Sequence, residues 1–457
     1  MWILLFLVTC WSIIAFNTNH QRQSLLIIIF LATGGFQLLP IHWFWSPFLL
    51  VKPYDYAYVA TGAIFVLRVG ELARLIAKER PAALATVYLG FLLLTLVVSV
   101  VFFSYSPVKS VQAARVFFWP IFLLLFLLVN RSVLERVVNT LYPIVVILSL
   151  LYLIQPITGT TIINPSGEYF NPYIGATDVK RYLSTPDFLI FFLLLAYYKL
   201  CTYKGKSLGV RLGQALAFVL FTAVQAVSFT RSAIIGTGVA VLYLSKRLVN
   251  PVLLVLFLAT VSVGFAVAYS TSSLIESRVN DSMKDIASTL RGDYDDFRAG
   301  KDGNLSFRIA HISERLTYVT HSVKHWPMGI GFIHEDSAVA QNLGFKIGLK
   351  NFLTGRAVQV DTGDNAWSVV IIKTGLIGLG LLLVFLIYSF VAVGGGRDKY
   401  AVVYRGGVVY FLVTSFFSSN FVSPSYMVPL MLFLAIALRT QVDLAAGKAA
   451  QKGKWQT

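Results

Sequence analysis

Apolar runs close to the length of a bilayer-spanning helix recur along almost the whole chain. A helix needs about 20 apolar residues to cross a bilayer, and about thirteen runs approach that length. We therefore predict an all-α, polytopic integral membrane protein with about 12–13 transmembrane helices. The runs lie near 2–17, 24–40, 56–72, 83–104, 111–130, 134–155, 184–202, 211–229, 232–246, 250–270, 365–392, 402–420 and 424–440.

Composition supports the membrane class and excludes several others. Hydrophobic residues make up 57% of the chain, whereas soluble domains lie near 45–50%. The two cysteines, Cys10 and Cys201, both lie in apolar runs, which excludes a disulfide framework. The six histidines form no zinc-binding spacing, so we expect no metal and no cofactor.

The net charge of +17 follows the membrane topology rather than a nucleic-acid surface. Basic residues concentrate in alternate short connections, as the positive-inside rule requires of cytoplasmic loops. This alternation puts the C-terminus in the cytoplasm and the long polar loop outside, and it predicts membrane lipids but no nucleic acid as partners. The basic connections are 21–22, 74–80, 131–136, 204–211, 246–247, 397–405 and the tail.

A polar loop divides the chain into four predicted parts. They are an N-terminal helix bundle (1–270), the large external loop (271–363), the last transmembrane helices (364–440) and a cytoplasmic tail (441–457). The loop holds about half of the 21 acidic residues but fewer than a third of the 38 basic ones. A backbone outside the bilayer has more freedom to build a site, so we expect the chemistry in this loop.

Part of the loop has the periodicity of an amphipathic helix over 306–326. Its apolar residues recur at spacings of three and four, and Arg308, His311 and Arg315 fall on one face. A planar guanidinium binds phosphate oxygens in a bidentate manner, so this face is a candidate pyrophosphate site. A solvated helix face is the plainer interpretation.

Two other places carry candidate residues. Arg231 lies in the turn between two apolar runs, where a charge is costly and marks a functional site unless it reaches the headgroups. Asp361 and Asp364 precede the run at 365–392. A carboxylate there accepts a proton from a substrate hydroxyl, or it caps the helix.

Three short motifs, in order, resemble the O-antigen ligase and O-antigen polymerase superfamily. The resemblance covers roughly residues 180–392. The ligase pattern begins with His, whereas this chain has Asp364, which favours the polymerase branch. The motifs are Thr230-Arg231-Ser232; Ser306-Phe307-Arg308 with His325-Trp326-Pro327-Met328-Gly329-Ile330-Gly331-Phe332; and Asp364-Asn365, nine residues, then Gly375-Leu376-Ile377-Gly378.

The resemblance implies a glycosyltransferase of the GT-C type at the outer face of a bacterial plasma membrane, periplasmic or extracellular. Its donor would be a glycan on undecaprenyl pyrophosphate, with a chain-length regulator protein as a possible partner. By the match, Arg231 and Arg308 would hold the pyrophosphate, and Asp364 would act on the acceptor hydroxyl beside Asn365. Position adds two more arginines and two alternative bases to the substrate-binding set: Arg181, Arg315, His311 and His334.

The favoured hypothesis is a polymerase that lengthens O-antigen or exopolysaccharide from lipid-linked repeat units without a metal. A ligase that transfers finished glycan to lipid A core or another acceptor is the alternative within the family. A transporter or lipid-glycan flippase, and a noncatalytic scaffold of a capsule export machine, are alternatives outside it. The absence of repeated halves with broken helices disfavours a transporter.

Overall fold

The computed structural model describes most of the helical framework. The described residues are 2–40, 51–164, 170–171, 181–182, 185–203, 205, 207–228, 230–248, 305–335, 337–343, 345, 347, 360, 365–394 and 398–453. The predicted run at 250–270, much of the predicted loop with Asp361, and also Asp364 lie outside them.

Helices occupy each predicted apolar run within the described residues, usually with bounds shifted by a few positions. The first part of the chain contains α1 (Trp2–Asn17), α2 (Gln21–Ala32), α3 (Pro53–Leu67), α4 (Val69–Lys78), α5 (Arg80–Val101), α6 (Pro107–Ala114), α7 (Ile121–Leu127) and α8 (Arg131–Thr158). After α8, strands β1 (Phe170–Asn171) and β2 (Arg181–Tyr182) pair antiparallel. Then follow α9 (Leu189–Thr202), α10 (Leu208–Val227), α11 (Arg231–Leu248), α12 (Leu305–Thr320), α13 (Ala338–Gln341), α14 (Ala366–Ala392), α15 (Lys399–Thr414) and α16 (Pro424–Gly453).

Several of these helices are suited to crossing a membrane. Among the described residues, four are long and apolar enough: α5, α8, α10 and α14. A bent pair, α6 with α7, makes a possible fifth span. Helices α1, α2, α9 and α11 also contain apolar stretches, but of only 10–17 residues. The protein is thus a helical protein with several membrane-spanning candidates, and fewer helices meet the length criterion than the 12–13 runs predicted.

The predicted run at 111–130 is not one straight helix. Helix α6, a 3₁₀ turn at Arg115–Phe117 and α7 replace it, and the two helical parts meet at 55°. Pro120 stands at the junction and has no N–H to continue the helical ladder. Trp119 is buried in the bend, and its indole Nε1 donates to the Phe421 carbonyl at 2.8 Å.

Helix α15 lies at the centre of the bundle. It packs against α9, α11 and α16, and none of its residues is exposed. Gly406 and Gly407 permit α15 to pack closely against α9. A Cβ at Gly406 would clash with Leu194, and a Cβ at Gly407 would clash with Phe191. The helix is therefore covered along its length by the described elements.

Helix α14 is broken at Gly375, which the apolar run did not predict. Gly375 has φ 65° and ψ −167°, a conformation essentially reserved for glycine. The break leaves backbone N–H and C=O groups without partners in the helix, and the segment after α12 supplies partners. Ile330 N donates to Ile372 O at 2.8 Å, and Leu376 N donates to Trp326 O at 2.8 Å. Ile377 N also donates to Pro327 O, so three backbone groups at the break are paired with the 326–330 segment.

This backbone exchange fixes the ends of neighbouring elements. A Cβ on Gly375 would lie 2.6 Å from Met328 N, and one on Gly329 would collide with the Ile372 carbonyl. Next to it, Phe332 N donates to Ser99 Oγ, near the end of α5, at 2.8 Å. We call the paired segments 326–330 and 372–377 the glycine lock.

The amphipathic helix predicted over 306–326 is confirmed in its position but is shorter at its C-terminus. Helix α12 ends at Thr320, and turns follow up to Ile330. A proline disfavours helical geometry at the residue before it, here Trp326. The carbonyls of Trp326 and Pro327 accept hydrogen bonds from α14 and not from a continued α12. A small second core joins this region to the first half of α14; it contains Val319, Ile330, Ile333, Ala340, Phe345, Val360, Ile371 and Ile372.

Candidate active site

The connection between α15 and α16 gathers several segments that are distant in sequence. Ala366 N, at the start of α14, donates to the carbonyls of Ser415 (3.0 Å) and Ser418 (3.1 Å). Trp119 donates to Phe421 O in the same connection. We call residues 415–425 the hub, because α12, α14 and the entry to α9 meet around it.

Asn365 caps α14 and touches α12. Its Oδ1 accepts from Trp367 N at 2.9 Å and Ser368 N at 3.2 Å, and its Nδ2 donates to the Arg308 carbonyl at 3.4 Å. Its side chain is buried. Capping was the alternative role considered for the aspartates before this helix, and Asn365 fills it. Its predicted substrate contact would compete with these bonds.

Arg308 is half-buried one helical turn into α12 and lies beside the hub. Its guanidinium carbon stands 5.3 Å from the centroid of the Phe417 ring, within the range of a cation–π contact. Arg308 makes further contacts besides this one. Among the predicted cations whose side chains the structure describes, Arg308 is the one whose backbone carbonyl is bonded to Asn365 at the start of α14.

His311 is buried at the next turn, 1% exposed, and neither ring nitrogen has a hydrogen-bond partner. Its ring contacts Phe307 at 5.8 Å between centroids. Burial, with the charge of Arg315 as a second cause, lowers the pKa of His311 to about 3. The imidazole is therefore neutral, and its two buried nitrogens are costly unless a ligand or water satisfies them.

Arg315 does not join Arg308 on an open surface. It is completely buried, pairs with Glu314 at 2.5 Å, and donates to Ile347 O at 2.8 Å. Its guanidinium lies 3.8 Å from the Phe345 ring centroid. Burial lowers the pKa of Arg315 to about 10, against the opposing effect of Glu314. These contacts indicate that Arg315 stabilises the local fold of the loop region.

The remaining predicted residues are less completely described. His334 follows the second core at Ile333, is half-buried, and makes contacts of its own. Arg181 lies in β2 opposite Asn171, and Arg231 is the first residue of α11, but their side chains lie outside the description. Asp364 lies outside the described residues altogether.

Sequence reasoning missed Asp187 and Gln37. Asp187, just before α9, is buried, and its Oδ2 has no hydrogen-bond partner. Burial raises the pKa of Asp187 to about 8, against a hydrogen bond from Ser425 of the hub. Gln37 accepts from Asp187 N at 3.0 Å and donates to Thr185 O at 3.2 Å. The only sequence signal was an acidic residue near the start of the predicted apolar run at 184–202.

No metal centre forms among the residues that the structure describes. There, no group of three or more His, Cys, Asp or Glu side chains is arranged to hold an ion. The described chemistry consists of guanidinium, imidazole, amide and carboxyl groups around a buried helix start. This set can bind an anionic ester and move a proton.

Comparison with known proteins does not assign the chain to a family. No model of a known protein family matches it, and no curated protein matches it either. The function must therefore be argued from the site itself.

Proposed function

We propose that the protein is a glycosyltransferase that polymerises lipid-linked oligosaccharides at the outer face of the plasma membrane. The acceptor-sugar hydroxyl oxygen attacks the anomeric carbon of the donor glycan, and a new C–O bond forms. The bond from that carbon to the pyrophosphate oxygen breaks, and its electron pair leaves with undecaprenyl pyrophosphate. A carboxylate, Asp364 in this proposal, accepts the hydroxyl proton.

One observation carries the proposal: the second and third motif segments meet although they are far apart in sequence. Asn365 bonds to the Arg308 carbonyl, and the His-Trp-Pro segment locks into the Gly-x-x-Gly turn through Gly329 and Gly375. Residues brought together in this way act as one unit. A role in a common site explains why two external segments and a helix start converge.

Arg308 is the proposed pyrophosphate contact among the described side chains. A guanidinium keeps its charge and offers several donors to developing charge on the leaving oxygen. The N-terminal N–H groups of α14 do not serve as the anion site, because Ser415, Ser418 and Asn365 already satisfy the first three. Arg231 and Arg181 complete the cationic set in this proposal, whereas Arg315 supports the fold of the loop.

The broken helix does not favour a transporter. Transporters use open backbone at such breaks to hold substrate. Here the break at Gly375 is filled by the backbone of the 326–330 segment. The Ile372 carbonyl at the break accepts from a backbone N–H, so it is not left open for an ion or a substrate.

The test is elongation of a lipid-pyrophosphate-linked repeat unit by purified protein in nanodiscs, without added metal or other acceptor. A ladder of longer glycans is the expected product. Arg308→Ala should reduce elongation by about a hundredfold or more, the scale of losing one transition-state contact. Arg136→Ala, an exposed arginine on α8, is the control. Full activity of Arg308→Ala would remove the pyrophosphate contact, and an unchanged substrate with wild-type protein would refute the polymerase.

A further inference from the structure

Phe416 is exposed at an unusual place. It follows α15, which has no exposed residue and is surrounded by α9, α11 and α16. Phe416 is nevertheless 48% exposed. The ring therefore offers an accessible aromatic face directly beside the start of α14, which is bonded to the same connection through Ala366.

The Trp367 ring contacts Phe416, and Phe417 is the next residue in the chain. The Trp367 ring lies 5.8 Å from Phe416 at an interplanar angle of 49°, and 5.3 Å from Phe421. The ring of the half-buried Phe417 lies beneath the Arg308 guanidinium, with 5.3 Å between the guanidinium carbon and the ring centroid. We call Trp367, Phe416 and Phe417 the aromatic platform.

The platform is held rigidly. Ser418 Oγ donates to Thr414 O at 3.0 Å, and Asn420 Nδ2 donates to Thr414 Oγ1 at 2.9 Å. The start of α14 is bonded to the same connection through Ala366. A preorganised surface loses little conformational freedom on binding a ligand.

Trp367 supplies a polar group that no protein atom uses. Its indole Nε1 is buried and has no hydrogen-bond partner, and the residue is only 8% exposed. An unused buried donor costs stability. It is explained if a ligand hydroxyl accepts from it.

We propose that the aromatic platform binds the pyranose ring that the donor glycan attaches to pyrophosphate. This rests on the proposed function, in which Arg308 contacts that pyrophosphate. The C–H face of a sugar is apolar and slightly positive, so it stacks on the negative face of an aromatic ring. The sugar hydroxyls then meet the Trp367 N–H. A polyisoprenyl chain would use the rings but has no need of an N–H donor or a guanidinium.

Binding in nanodiscs tests the platform with two probes: the lipid-pyrophosphate-linked repeat unit and sugar-free undecaprenyl pyrophosphate. Phe416→Ala and Phe416→Leu should weaken binding of the glycan-bearing lipid by about tenfold, the scale of one aromatic contact. Phe416→Tyr should retain it, and sugar-free lipid should bind all variants alike. Phe102→Ala is the control, since Phe102 is 74% exposed at the end of α5.

Equal weakening for both lipids would show that Phe416 contacts the isoprenoid and would overturn the platform. So would unchanged binding of the glycan-bearing lipid by Phe416→Ala. A wild-type protein that binds the glycan-bearing lipid but does not elongate it would refute the polymerase while leaving the Phe416 comparison decisive. A wild-type protein that binds neither lipid would refute both.

Discussion

Three neighbouring side chains of α12 illustrate how differently similar residues are used. Arg308 lies against the Phe417 ring beside the hub. His311 is buried without a partner, and Arg315 is enclosed by Glu314, the Ile347 carbonyl and the Phe345 ring. A buried guanidinium with this many contacts supports the local fold. Only Arg308 combines partial exposure with proximity to the start of α14.

Arg315→Ala should destabilise the protein, whereas Arg308→Ala should not. Removing one member of a buried ion pair typically costs about 3 kcal/mol or more, because the other polar groups lose their partner. Arg308 is only half-buried, so its removal should cost less than about 1 kcal/mol. Thermal unfolding in detergent, followed by tryptophan fluorescence, measures both variants. Equal melting temperatures would refute the structural role of Arg315.

The α12 region should lose stability as the pH falls. The pKa of His311 is lowered to about 3 in the folded protein by burial and Arg315, whereas the unfolded chain protonates near the ordinary 6.5. The contribution of His311 to the free energy of unfolding is therefore at its maximum above pH 6.5. It decreases as the pH falls toward 3, by about 2 kcal/mol at pH 5. Burial, with Lys324 as a second cause, also lowers the pKa of His325, so it acts in the same direction.

Hydrogen exchange of α12 peptides at pH 7.5 and 5, corrected for intrinsic rates, measures this effect. His311→Gln should remove most of the extra opening at pH 5. His321→Gln, an exposed residue just past the same helix, is the control. A full pH effect in His311→Gln would contradict the prediction.

The residue pattern of α12 predicted which side chains share a helix face but not what that face meets. Ile347 and Phe345, which enclose Arg315, come about thirty residues later. No local spacing encodes that contact. Similarly, the sequence assigned Asn365 with Asp364 to substrate, and its capping role emerged only from the bonds that its Oδ1 accepts from Trp367 N and Ser368 N.

At the level of elements, the glycine lock joins the loop region to a membrane helix. Gly378 lies against Phe91 of α5, while the lock lies near Ser99 of the same helix. Helix α5 and the part of α14 that follows Gly375 are therefore antiparallel. Any displacement of the 326–330 segment must disturb the backbone pairing with 372–377.

Gly375→Ala should cost roughly 1–3 kcal/mol, because its positive φ is strained for alanine and the added Cβ meets Met328 and Gly329. Gly380→Ala in the same helix is a matched control. No atom lies within 4 Å of a Cβ at Gly380, and alanine favours a helix over glycine. Chemical denaturation in detergent measures both. Equal stabilities would refute the lock.

Helix positions were predictable because apolar runs of suitable length determine them, as at α5 and α8. The break at Gly375 was not, although the Gly-x-x-Gly spacing was noticed. A positive φ in mid-helix is stable only when other backbone replaces the lost hydrogen bonds, and that backbone lies about 45 residues upstream. The bend between α6 and α7 had a local signal in Pro120, but the continuous apolar run at 111–130 favoured a single helix.

For the molecule as a whole, the charge pattern predicts which ends of the helices face outward. The hub and the entry to α9 belong to the predicted external side, and the basic ends of α4 and α8 to the cytoplasmic side. Labelling from the two sides of the membrane tests this orientation.

In a variant with Cys10 and Cys201 replaced by alanine, Ser419→Cys should react with a membrane-impermeant maleimide in intact cells. Lys78→Cys, exposed at the end of α4, should react only after the membrane is opened. The reverse pattern would place the candidate site in the cytoplasm and refute an outer-face glycosyltransferase. Reaction of both in intact cells would indicate a damaged membrane and call for a repeat with spheroplasts.

Gln37 has a consequence for how this architecture can diversify. Its carbonyl accepts from Asn164 N at 2.8 Å, and its side chain bonds to Thr185 and Asp187. The chain between Asn164 and Thr185, with Arg181 in it, thus departs from and returns to the framework at a single residue. We therefore expect that changes of length between Asn164 and Thr185 leave α8 and α9 in place, because Gln37 is bonded to both ends of the segment.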